Sequence, residues 1–167
     1  MNILLEDLIM ETNVLIKSIE TRFFISFSML EEILEICPDE IWNKKLSGFI
    51  FWQQLLHTFT GEHFWLREEN NEFVEPFLDK NVYPELEKDP ENILTKETLI
   101  NFCKETNEIA KKWFKGKDDN WLKLPSKIYD KYTNNDVIIE QIRHIMYHVG
   151  HCDAIFRENN IKTGEWK

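Results

Sequence analysis

Apolar residues recur at spacings of three, four and seven through Ile3, Leu4, Leu8, Leu15, Ile19, Phe23, Phe27, Leu30 and Leu34. That period predicts a helix over residues 3–37, with a bend or break near Ser18–Thr21 because the segment is long for one globular helix. Pro38 stops it, since proline disfavours helical geometry in the residue before it. The following Asp39-Glu40-Ile41-Trp42 begins a short turn, with Pro38 at an N1-like place. A second helix is predicted from about Phe49 to Glu69, opened by Ser47-Gly48. It is apolar almost all round, as a helix is when it is central or shared with a partner chain. Residues 70–94 carry Pro76, Pro84 and Pro90 among many charges and predict a long crossover. A third helix is expected over about Lys96–Phe114, with Thr95 as N-cap and Glu97 in the first turn. After a second irregular stretch, the last helix should run from about Asp136 to Glu158. Asn134 or Asn135 would cap it and Asn159-Asn160 would end it. No strand-like alternation is visible. The expected fold is all-α, a four-helix bundle with one or two long crossover connections, forming a single domain over residues 1–167.

Composition narrows the partners. The 167-residue chain has a formal net charge of -10, which disfavours nucleic acid, because binding it requires a basic patch that displaces counterions. The nearest such patch, Lys111, Lys112, Lys115 and Lys117, is followed directly by Asp118 and Asp119 and reads as a solvated helix end. Three widely spaced cysteines argue against a disulfide framework and for a reducing compartment. The first residues lack a basic n-region, and no apolar run approaches the ~20 residues of a membrane span. A cytoplasmic protein with no membrane partner is expected.

Candidate chemistry centres on the histidines. In a helix, His144 and His148 lie one turn apart, separated by about 40°. They share a line with Val137 and Ile155, so the pair points into the bundle. Two buried imidazoles need partners and would repel if both were charged. A metal ion resolves both difficulties, because it requires neutral ligands. His57 on the second helix faces the same way, in line with Ile50, Gly61 and Phe64. Gly61 removes a side chain one turn away and leaves room. His57, His144 and His148 would make a three-ligand site of catalytic type. The HExxH protease pattern is absent.

The remaining groups rank below these three. His151 reads as a donor beside the ligands rather than as a ligand. His63 lies on the opposite side of its helix and reads as a packing or interface histidine. Cys152 is about 12 Å of helical rise from His144 and reads as a small buried thiol. Gly150 suggests a close helix–helix approach. The arc of Phe49, Trp52, Leu56, Phe59 and His63 is expected to remain uncovered and to serve a homodimer. The rival is that residues 70–94 fold over it.

The Pro38–Trp42 segment, the helix carrying Trp52-Gln53-Gln54-Leu55-Leu56-His57, and the late HxxxH-x-G together resemble the DinB/YfiT-like metalloenzyme superfamily. The resemblance spans nearly the whole chain, and its specific part is the three histidines. It implies a four-helix bundle, often dimeric, with a divalent metal on His57, His144 and His148. Many members read His-Arg-Gly-Gln where this chain has His148-Val149-Gly150-His151, so no role carries over from that glutamine. Characterised relatives include S-transferases and isomerases that use low-molecular-weight thiols.

Three functions follow as expectations for a small-molecule substrate. The first is a metal-dependent S-transferase using a low-molecular-weight thiol, with His151, Glu62 and Tyr147 as the proton-transfer candidates. The second is a metal-dependent hydrolase. The third is a non-catalytic, metal-binding stress-response module, which a fourth protein ligand and the lack of a pocket would favour. Zn or Ni leads as the metal, and Mn or Fe also suits three imidazoles. An anionic thiol would need nearby cations. Arg143 should point away from His144, which leaves Lys131 and Arg67 as the helpers.

Overall fold

The computed structural model describes residues 13–167. The predicted start of the first helix, at residues 3–12, lies outside the described residues. From Val14 the chain forms α1 (Val14–Ile36), with no break at Ser18–Thr21. Ile16, Ile19, Phe23, Phe27, Leu30, Ile33 and Leu34 make its buried stripe, while Leu15 is exposed. A distant side chain caps α1, for Asp119 accepts from the backbone N–H of Leu15 at 3.2 Å and of Ile16 at 2.8 Å. A carboxylate there satisfies free N–H groups and suits the positive end of the helix dipole.

Pro38 precedes the single turn α2 (Asp39–Trp42). A two-stranded antiparallel hairpin follows, β1 (Lys45–Leu46) and β2 (Phe49–Ile50), which the hydrophobic pattern did not predict. Ser47 at φ +50° and Gly48 at φ +99° turn it, and only glycine adopts the second value without strain. Two-residue strands are too short to show alternation. The hairpin delays the second helix, α3 (Phe51–Trp65), whose end also comes before the expected Glu69.

Trp42 and Gln53 fasten the crossover after α3, and Trp52 fastens the loop before it. Trp42 donates its indole N–H to the Leu94 carbonyl at 2.8 Å, and Trp52 donates to Asn43 at 2.9 Å. The buried Gln53 amide N–H₂ points at the carbonyls of Val82, Tyr83 and Lys88, at 3.1, 2.8 and 2.9 Å. Helix α4 (Lys96–Phe114) begins as expected, with the Thr95 hydroxyl accepting from Thr98 N–H. The last helix, α5 (Asn134–Glu158), starts earlier than expected and is capped by Thr133 rather than by Asn134 or Asn135. Thr133 and Asp136 form a capping box, each side chain satisfying the other's backbone N–H.

The structure is mainly helical, and α1 and α3 each pack against both α4 and α5. Helices α3 and α5 run antiparallel, with Gln54 meeting Cys152 and His57 meeting His144. The core lies between the four, where Phe27 meets Phe59 at 5.8 Å and Phe51 stacks on Phe156 at 5.3 Å. Trp52, Leu56 and Phe59 are fully buried within the chain. The arc expected to face a second protomer is therefore filled. Phe102 of α4 lies edge-on to Phe59 and flat on His63, and Phe77 of the crossover packs against Phe102 in turn. Gly150 is exposed, and no described residue lies within 4 Å of an added Cβ, so close approach of a described helix does not explain it. Among the described residues, no helix is long and apolar enough to cross a membrane.

Candidate metal centre

The antiparallel register of α3 and α5 brings His57 to the His144–His148 pair. The three ring centroids form a near-equilateral triangle, with sides of 4.9, 5.0 and 4.9 Å. One nitrogen from each ring lies within 4.8 Å of the other two, close enough to hold a metal ion. His57 Nε2 and His144 Nε2 are 3.0 Å apart. Ligand nitrogens on a tetrahedral zinc, with bonds of ~2.05 Å, sit about 3.3 Å apart, so the spacing already approaches that of a site.

Gly61 makes room for this arrangement. A Cβ on it would stand 2.9 Å from His144 Cε1 and 3.2 Å from Nδ1. At 2.9 Å something must shift, so an alanine here would push the His144 ring out of place.

The ring nitrogens have assigned roles. His57 Nδ1 lies 2.7 Å from the Pro84 carbonyl, which can only accept, so His57 carries its proton on Nδ1 and its lone pair on Nε2. Gln53 makes this possible by clamping the carbonyls on either side of Pro84. His148 Nδ1–H donates to the Gln54 amide oxygen at 3.1 Å, which again leaves Nε2 as the lone-pair atom. In the metal-free chain, His144 Nε2–H can donate to His57 Nε2. A metal ion would replace that bond.

Burial keeps the cluster neutral. Desolvation lowers the pKa of His57 below 6.5 despite the opposing pull of the Pro84 hydrogen bond. Desolvation, with a smaller contribution from the neighbouring imidazole, lowers His144 to about 4. The same causes lower His148 to about 3. Three neutral, converging nitrogens with defined tautomers fit a divalent cation, because protons do not compete for them near pH 7.

A pocket of about 830 Å³ opens against two of the three rings. His57 and His144 line it, while His148 lies buried behind them. Its walls include Trp65, Tyr132, Met146 and Tyr147, with Trp65 and Tyr132 stacked at 6.2 Å. Arg143 also lines this pocket and is paired with Glu140 at 2.5 Å. The two charges cancel. The cations expected to help are engaged elsewhere. Arg67 donates to the Phe64 and Asn71 carbonyls, and Lys131 sits over the Tyr129 ring at 5.9 Å.

The three proton-transfer candidates are separated. Tyr147 is exposed and lines the pocket. His151 does not line it, and its Nδ1–H donates to the Gln54 amide oxygen. Glu62 is fully buried outside the pocket lining, and neither carboxyl oxygen has a hydrogen-bond partner among the described residues. Desolvation raises its pKa well above 4.5. Of the remaining groups, His63 stacks on Phe102 at 4.4 Å and donates from Nε2 to the Thr106 hydroxyl at 2.8 Å, a packing role. Cys152 is a buried thiol, as expected.

Sequence reasoning missed Gln53 and Gln54. The available signal was two adjacent amides inside an otherwise apolar helix, which must find buried partners. It also missed Gln141, buried and lining the pocket with its amide oxygen unpartnered. Comparison with protein-family models, curated proteins and solved structures gives no match to this chain.

Gly61→Ala should displace the His144 ring and weaken metal binding by about tenfold or more, within the range seen when a ligand's support is lost. Competition titration against a chelating dye checks this, and unchanged affinity would contradict the packing described.

The buried groups also set a pH dependence. Imidazoles held neutral in the folded chain protonate near 6.5 once unfolded, so the metal-free fold loses stability as pH falls from about 6.5 toward 3. Glu62 acts oppositely, because its raised folded pKa costs stability as pH rises above 4.5. Glu62→Gln should therefore stabilise the metal-free chain at pH 7 and not at pH 4. In that background, stability measured by urea unfolding should decline from pH 7 to pH 4, and a flat profile would contradict the burial of neutral imidazoles.

Proposed function

We propose that the chain is a divalent-metal-dependent enzyme of the DinB/YfiT-like four-helix-bundle class, acting on an uncharged, largely apolar small molecule. The observation that carries this reading is the convergence of three neutral imidazoles at the wall of an aromatic-sided pocket. His57, His144 and His148 would hold the metal, with Zn or Ni as the leading choices. When bound, such a cation supplies Lewis acidity that makes a thiol or water beside it more acidic at neutral pH.

The chain's own residues do the rest. Trp65, Tyr132 and Met146 give the substrate an apolar wall, and the paired Arg143 and Glu140 leave the pocket without net charge. Tyr147, exposed at the mouth, is the candidate nearest to a bound molecule for proton transfer. The group of ligands found among the described residues has three members and faces a pocket, which favours catalysis over a purely structural metal site. The family resemblance makes S-transfer from a low-molecular-weight thiol the leading reaction, and homodimerisation in the cytoplasm belongs to the same reading.

One observation favours metal-dependent hydrolysis as a second reading. Arg143, the one cation among the pocket's lining residues, is already paired, so a carboxylate-bearing thiol finds no counter-charge there.

Metal-loaded protein should be incubated with a neutral chloro-aromatic or epoxide electrophile and a panel of thiols. Thioether product is expected, faster with neutral thiols than with carboxylate-bearing ones, and it should be lost in His148→Ala. If no thiol supports turnover with Zn, Ni or Mn, S-transfer is excluded. Hydrolysis of neutral aryl esters or amides by the same samples would then support the second reading.

A further inference from the structure

We propose that Gln54 is the positioning residue of the metal centre: its amide oxygen fixes His148 in the Nδ1–H tautomer and ties His151 to the same state. This inference rests on the reading of His57, His144 and His148 as metal ligands. It adds how one of them is presented.

Gln54 sits on α3 one turn before His57 and is fully buried. Its oxygen accepts from His148 Nδ1–H at 3.1 Å and also from His151 Nδ1–H. Its amide nitrogen donates to Cys152 Sγ at 3.3 Å. One side chain thus meets three consecutive positions of the α5 face, at spacings of three and one.

A neutral imidazole has one N–H and one lone pair, and the partner of one nitrogen decides which form is present. With Nδ1–H bound to an oxygen, His148 offers Nε2 to a metal. If the amide turned over, its N–H₂ would require a lone pair on Nδ1, and the proton would move to Nε2. That form cannot ligate through Nε2. Because both rings share one oxygen, turning the amide would switch His151 together with His148. His151 therefore reports the orientation of Gln54 without being a ligand itself. Gln54 plays for His148 the part that the Pro84 carbonyl plays for His57.

The alternative is that Gln54 only fills space. Two substitutions separate the two roles. Gln54→Leu keeps the bulk and removes the acceptor. Gln54→Glu keeps the acceptor and cannot turn over to a donor when ionised. Loss of such a partner lowers metal affinity by about 10–100-fold. Gln54→Leu is expected to fall in that range for Zn(II) in a dye-competition titration, and Gln54→Glu to bind within about threefold of wild type or more tightly.

Long-range ¹H–¹⁵N correlation spectra of the metal-free wild type at pH 7 provide the direct measurement. Both His148 and His151 should show the Nδ1–H pattern. On adding Zn(II), His148 Nε2 should shift as a ligand, and His151 should keep its tautomer. An Nε2–H pattern for His148 in metal-free wild type, or wild-type affinity in Gln54→Leu, would overturn the role of Gln54. If Gln54→Leu fails to fold by circular dichroism, the wild-type spectra decide alone. A wild type that binds no Zn(II), Ni(II) or Mn(II) would instead overturn the metal-site reading on which this inference rests.

Discussion

The close antiparallel approach of α3 to α5 at Gly61 is the constraint on which the site depends. With no side chain at Gly61, the His144 ring comes within 2.9 Å of where a Cβ would stand. That close approach is compatible with one register of the two helices, the one observed. Once it is set, His57 falls opposite His144 and His148, and Gln54 falls opposite His148, His151 and Cys152. Packing on the other sides holds the pair together, since α1 and α4 close the core around Phe27, Phe59 and Phe102. The helices are thus packed on both sides where the ligand set needs them held.

Holding three imidazoles and a carboxyl away from water is unfavourable for the fold. His57 and His148 are relieved by the Pro84 carbonyl and the Gln54 amide. Among the described residues His144 has one hydrogen-bond partner, the His57 nitrogen, so an ion shared by all three rings would be its better partner. Glu62 finds no such relief among the described residues, and burial pushes its pKa well above 4.5. The uneven satisfaction of these groups explains why a metal ion would both complete the site and stabilise the protein, since it binds only the folded arrangement.

Helical periodicity was enough to locate α4 and its Thr95 cap, and to turn His57, His144 and His148 toward one another. It also showed why Gly61 is small. The hairpin at Lys45–Ile50 escaped notice because two-residue strands carry no period. Thr133 was passed over as a cap because two asparagines follow it, and only the reciprocal bonds with Asp136 decide between them. The apolar arc of α3 misled for a different reason. Amphipathicity shows that a face must be covered, not what covers it, and Phe102 of α4 does so from within the chain. Gln53 and Gln54 stand out as amides in an apolar helix, but their roles could not be read, because an amide can donate or accept and its partners are distant in the sequence.

The most direct measurement is the metal content of the purified protein and of its histidine variants, by elemental analysis after equilibration with Zn(II), Ni(II) and Mn(II) in turn. One equivalent of at least one metal per chain is expected in the wild type. His57→Ala, His144→Ala and His148→Ala should each lose most of it, and His63→Ala should keep it. Full retention of metal in His144→Ala, with the helical fold intact, would contradict the assignment of the centre.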